Sequence, residues 1–76
     1  MYERRSGSAL YYRCYLLGEQ GSIIRAHELN CIDDDEATQR AIAWLELPAN
    51  SSGTGVEVWQ MSRRVLLHLR NPVVHA

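Results

Sequence analysis

The sequence has no phenylalanine and no lysine, and it holds only two cysteines and two prolines among its 76 residues. Each scarcity excludes something. All eight basic residues are arginine, set against nine Asp plus Glu for a formal net charge of -1. No global field therefore draws the chain to nucleic acid or to an acidic membrane. Any electrostatic attraction has to be local: the arginines cluster toward the two ends, while Asp33, Asp34, Asp35 and Glu36 concentrate acid in the middle. No window approaches the roughly 18 consecutive apolar residues of a membrane span, and MYERRSGSAL has no apolar signal core. The expectation is a cytoplasmic protein without membrane contact. In such a compartment two cysteines are expected to stay reduced, buried and inert.

What the chain does have is a hydrophobic content of 46%, enough for one small domain with a modest core. Residues 1–8, polar and basic, read as a flexible leader, 9–70 as a single α+β domain and 71–76 as a flexible tail. Residues 9–17 are dense in Tyr and Leu, GEQGS supplies a glycine-flanked turn, and 23–31 resumes with Ile, Ala and Leu, which predicts a β-hairpin. In IDDDEATQRAIAWLELP, Asp33 is placed to cap a helix, and Glu36 three positions later completes a capping-box pattern. Ala37, Ala41, Trp44 and Leu45 fall on one stripe of that helix, flanked by Ile42. Pro48 stops it, and ANSSGTG is a loop of small, turn-favouring residues. Residues 56–60 alternate as a third strand, 61–63 turn the chain, and 64–69 form a fourth.

The predicted order is ββαββ. Strand direction favours a wholly antiparallel four-stranded sheet in the spatial order 2-1-3-4, against a competing crossover in which the third strand runs parallel to the second. One helix covers one face of such a sheet, so the other face is solvated or used. If Leu17 pairs with Ile23 across the turn, Cys14 falls opposite Ala26, Leu16 opposite Ile24 and Arg13 opposite His27. Alternation then turns Leu10, Tyr12, Cys14, Leu16, Ile24 and Ala26 toward the helix, with Tyr11, Arg13, Tyr15, Arg25, His27 and Leu29 on the open side. A bulge near His27 and Glu28 would bring Leu29 and Cys31 inward. In the second hairpin, Val56, Val58, Val65, Leu67 and Leu69 are expected to face the helix, leaving Glu57, Trp59, Arg64, Leu66 and His68 on the open face.

Several patterns that invite chemistry have simpler readings. Calcium loops space their oxygens at alternate positions around a glycine, and the Asp33 to Asp35 run does neither, so it reads as helix capping. A reactive thiol needs a neighbouring base; in this register Cys14 and His27 lie on opposite faces, and Cys31 is about 13 Å along the strand from His27. Cys14 and Cys31 are not placed for a bridge. His68 and His75 have no partner at ligand spacing. Ser52 to Gly55 precedes a strand, whereas a phosphate-cradling loop opens a helix. No serine, histidine and acid converge. The expectation is a non-enzymatic protein with no catalytic residue, no metal and no cofactor.

What remains is a candidate binding face of Tyr11, Arg13, Tyr15, Arg25, Trp59 and Arg64. Aromatics and arginines on an antiparallel sheet hold single-stranded RNA in the RRM by stacking and phosphate pairing. Here the RNP1 pattern is missing, and so are Phe and Lys. A protein partner or a second copy in a homodimer is the favoured occupant, with a plainly solvated surface next and single-stranded nucleic acid as the alternative binding reading.

The run from Leu10 to about Val65, with YRCYLLGEQGSI, ELNCIDDDEA and VEVWQMSRRV, resembles a set of small bacterial proteins of the rhizobial group of alphaproteobacteria. Their pattern is YRCYxLDxxGHI, ExxCxDDxEA and VEVWxxxRxV. That resemblance implies no activity, cofactor or catalytic residue. The chain departs from it at Gly18, where the pattern has an acid, at Ser22, where it has a histidine, and in a longer extension after Val65.

Overall fold

A computed structural model describes residues 9–70. The leader expected over 1–8 and the tail expected over 71–76 lie outside the described residues. Strand β1 (Leu10–Leu17) leads through a tight 3-10 turn at Glu19–Gly21 into β2 (Ile23–Cys31). Helix α1 spans Asp34–Leu45, a second 3-10 turn occupies Pro48–Asn50, and β3 (Gly55–Gln60) and β4 (Arg63–Leu69) complete the chain. The four strands form one antiparallel sheet in the order β2-β1-β3-β4. This is the predicted topology, and the described strands include no parallel crossover.

The helix starts where a reciprocal cap is available. The Asp33 carboxylate accepts from the Glu36 amide at 2.9 Å, and the Glu36 carboxylate accepts from the Ile32 amide at 2.8 Å. Its stripe of Ala37, Ala41 and Leu45 is buried against Tyr12, Cys14, Leu16, Leu29, Cys31, Val56 and Val58. Small alanines let the helix lie close to the sheet. Trp44, Val65 and Leu66 pack at the margin of that cluster.

The far end of the helix is held by polar groups instead of a glycine cap. Asn50 is only 1% exposed; its amide nitrogen donates to the Trp44 carbonyl at 2.8 Å, and its amide oxygen accepts from Arg25 at 2.5 Å. Arg70 donates to the carbonyls of Leu45 at 2.9 Å, Asn50 at 3.1 Å and Gly53 at 2.9 Å. A guanidinium among the last carbonyls of a helix satisfies orphan acceptors and complements the helix dipole.

Two registers differ from the expected ones. Leu17 does pair with Ile23, but Leu16 then pairs with Arg25, so Ile24 is the extra residue of a bulge at the turn end of the hairpin. From there Tyr15 faces Ala26, Cys14 faces His27 and Arg13 faces Glu28. The irregularity thus lies next to the turn, not at His27 and Glu28, and it brings Leu29 and Cys31 inward as the expected bulge would have done. In the second hairpin a bulge between Val58 and Trp59 sets Leu66 opposite Val58 and His68 opposite Val56. Leu66 and His68 therefore lie on the helix side, and Leu67 and Leu69, opposite Glu57 and Gly55, lie on the open side.

Candidate binding face

The strand pairings lay the open face out in cross-strand rows. At the end near the first turn stand Ile23, Leu17, Gly55 and Leu69; next come Ala26, Tyr15, Glu57 and Leu67; then Glu28, Arg13, Trp59 and Arg64. Tyr11 follows, paired with Asn30. Tyr11, Arg13, Tyr15, Ile23, Glu57, Trp59 and Met61 line a shallow concavity of about 570 Å³ on this face. Five of the six expected residues are thus present: Tyr11, Arg13, Tyr15, Trp59 and Arg64.

Arg25 is the exception. The bulge at Ile24 shifts its phase by one, and its guanidinium reaches the buried Asn50 amide on the helix side. His27 moves with it and stacks on Trp44, ring centroids 5.1 Å apart. Ile24 and Ala26, expected inside, are exposed. β2 is an edge strand, so the rim of the helix only partly covers it, and polar side chains fit there as well as apolar ones.

The charges on the face are already paired among themselves. Arg13 donates to the Tyr11 hydroxyl at 2.9 Å and to the Glu28 carboxylate at 3.3 Å. Arg64 donates to Glu57 at 2.9 Å. The Tyr11 contact pushes the Arg13 pKa further up, fixing its charge. Such exposed ion pairs contribute little to stability. Their effect here is to leave the face with no unbalanced charge and with its aromatic rings held in place.

Met61 and Ile23 belong to the concavity and were not among the expected residues. Met61 sits in the β3–β4 turn at φ 57 and is 89% exposed. A left-handed backbone at an unbranched, non-glycine residue is unfavourable, and so is exposing the whole of an apolar side chain. The sequence signal available was SRR following QM without a glycine, which leaves a turn residue to adopt that conformation.

Both thiols are enclosed. Cys14 does share a face with His27, correcting the expectation that they lie on opposite sides. Burial alone pushes the Cys14 thiol up to about 12, however, and the histidine ring is taken up by Trp44. Burial also raises Cys31. Both are free, buried cysteines. Among the described residues no group of three or more His, Cys, Asp or Glu side chains is placed to hold a metal ion. No helix of the described residues is long and apolar enough to cross a membrane.

The aspartate run divides its work. Asp33 caps, and Asp34 accepts from the Tyr12 hydroxyl at 2.8 Å and from Arg63 at 3.0 and 3.1 Å, which ties the helix start to β1 and β4. The smaller hollow beside it is lined by Leu10, Ile32, Asp33, Asp34 and Asp35, with the capping and tying roles accounting for its first two carboxylates. Compared with known proteins, the chain matches no family model, no curated protein and no solved structure.

Proposed function

We propose that this is a non-enzymatic cytoplasmic protein that acts by protein contact through the open sheet face, with a second copy of itself as the partner. The observation that carries the reading is the concavity of Tyr11, Tyr15, Ile23, Trp59 and Met61 around arginines already paired to Glu28 and Glu57. An isologous contact brings the same patch against itself, so a patch without net charge meets no repulsion. Tyr and Trp supply large contact area with few rotors, which suits the centre of an interface. Met61 adds the cost of a left-handed turn and of full exposure, and contact with a partner offsets both.

Four strands spaced about 4.8 Å apart and some six residues of about 3.3 Å each give a face on the order of 400 Å². That is below the ~800 Å² per partner of a standard interface, the size class of weak and reversible contacts. The nucleic-acid alternative draws on the same rings. It has less support, because the arginine forks that would take phosphate are occupied by carboxylates on the same face. Sedimentation with and without a single-stranded oligonucleotide at low salt separates the two. Concentration-dependent self-association without oligonucleotide binding is expected. A monomer that binds the oligonucleotide with quenching of Trp59 fluorescence would replace the first reading with the second.

A further inference from the structure

The two edges of the sheet are built differently. β2 carries Arg25, Glu28 and Asn30 and begins at a bulge, the devices that keep an edge from pairing with another strand. β4 has a bulge of its own at Val65, but from there to Leu69 it contains no Asp, Glu, Arg, Lys or Pro, and among the described residues no strand lies beyond it.

The phase of the β3–β4 ladder fixes which backbone groups β4 leaves free. The Arg70 amide donates to the Thr54 carbonyl at 2.7 Å, so the Arg70 amide points toward β3, while the Thr54 amide turns to the Leu17 carbonyl on β1. In an antiparallel ladder bonded and non-bonded pairs alternate. Val56 with His68 is therefore a bonded pair, and Gly55 with Leu69 and Glu57 with Leu67 are not. Consistently, a Cβ added at Gly55 would lie 2.5 Å from the His68 carbonyl oxygen, which points toward β3. The amides and carbonyls of Leu67 and Leu69 point the other way, off the edge.

We infer that β4 pairs antiparallel with β4 of a second copy about a two-fold axis at Leu67, joining two four-stranded sheets into one. In that register Leu67 exchanges both backbone hydrogen bonds with Leu67 of the second copy, and the Leu69 amide meets the carbonyl of the bulged Val65, whose side chain stays with the core. Leu66 faces His68, so the paired side chains from Leu66 to His68 are apolar or imidazole. Arg64 falls opposite Arg70, whose guanidinium is turned in to the Leu45, Asn50 and Gly53 carbonyls, while Arg64 is held by Glu57. No like-charge contact results. Moving the axis to Leu66 would set Arg63 against Leu69 and Arg64 against His68. The exposed Leu67 and Leu69 of both copies, 46% and 52% exposed in one chain, then form a continuous strip on the open side. This contact lies in the plane of the sheet and is independent of the face contact proposed above.

Amide exchange measured residue by residue tests it. At low concentration the Leu67 and Leu69 amides exchange fast, while those of Leu66 and His68 are protected by β3. On raising the concentration to the millimolar range, Leu67 and Leu69 become protected by about tenfold or more, also in the Tyr15→Ala/Trp59→Ala variant that disables the face contact. Leu67→Pro removes only an outward amide, so it folds and loses the protection at Leu69. Leu67 and Leu69 amides that exchange equally fast at all concentrations would overturn the edge contact, and so would a folded Leu67→Pro variant that keeps Leu69 protected.

Discussion

Arg63 on β4 donates two hydrogen bonds to the carboxylate of Asp34, at 3.0 and 3.1 Å, and the hydroxyl of Tyr12 on β1 donates a third at 2.8 Å. One side chain at the start of the helix thus fastens two strands that are not neighbours in the sheet. The Arg63 hydrogen bonds, followed by that from Tyr12, hold the Asp34 carboxyl below its ordinary value.

A carboxylate with a depressed folded pKa contributes stability that is complete above the unfolded value, about 4, and is lost as pH falls through the folded one. Asp34→Asn removes that contribution at neutral pH. The urea midpoints of wild type and variant, measured from pH 7 down to 2, should therefore differ at neutral pH and converge below about pH 4. Parallel curves over the whole range would contradict the tie.

The alkaline side depends on two core groups. Burial pushes Cys14 up to about 12, and burial, then the hydrogen bond to Asp34, pushes Tyr12 up to about 12. Raised folded pKa values of this kind give stability that is full below the unfolded values and is lost as pH rises through 9 for the thiol and 10 for the phenol toward 12. At pH 8 a thiol reagent should leave native Cys14 unmodified and label it once urea unfolds the chain. Fast labelling of the native protein would show that the thiol is not enclosed by the core.

Met61 links strain to contact. Asn tolerates the left-handed conformation better than Met, so Met61→Asn should stabilise the chain by about 0.5 to 1 kcal/mol in urea unfolding. The same change should weaken self-association. A variant that is both more stable and equally associated would remove Met61 from the interface.

The helix was legible because its signals are local: Asp33 and Glu36 lie three apart, and Ala37, Ala41 and Leu45 share a stripe. Strand order was legible from direction alone. The face assignment failed at the two bulges, because period-two alternation carries one inserted residue through the rest of a strand. Ile24 displaced Arg25 and His27 to the helix side, and the bulge opposite Trp59 exchanged Leu67 and Leu69 with Leu66 and His68. β1 has no such insertion between Leu10 and Leu16, and there Tyr11, Arg13 and Tyr15 were placed correctly. The roles of Asp34 and Arg70 and the Arg25 contact of Asn50 were not legible, since each rests on partners more than 15 residues away that only the closed sheet brings within reach.

The face contact is tested most directly by sedimentation equilibrium on two proteins that both carry Leu67→Pro, so that the edge contact is removed from both alike. One is otherwise wild type, and the other also carries Tyr15→Ala and Trp59→Ala. The first should self-associate in the micromolar range, and the second should bind itself at least about tenfold more weakly. A first protein that stays monomeric at high micromolar concentration, or a second that associates equally well, would contradict a partner-binding role for this face.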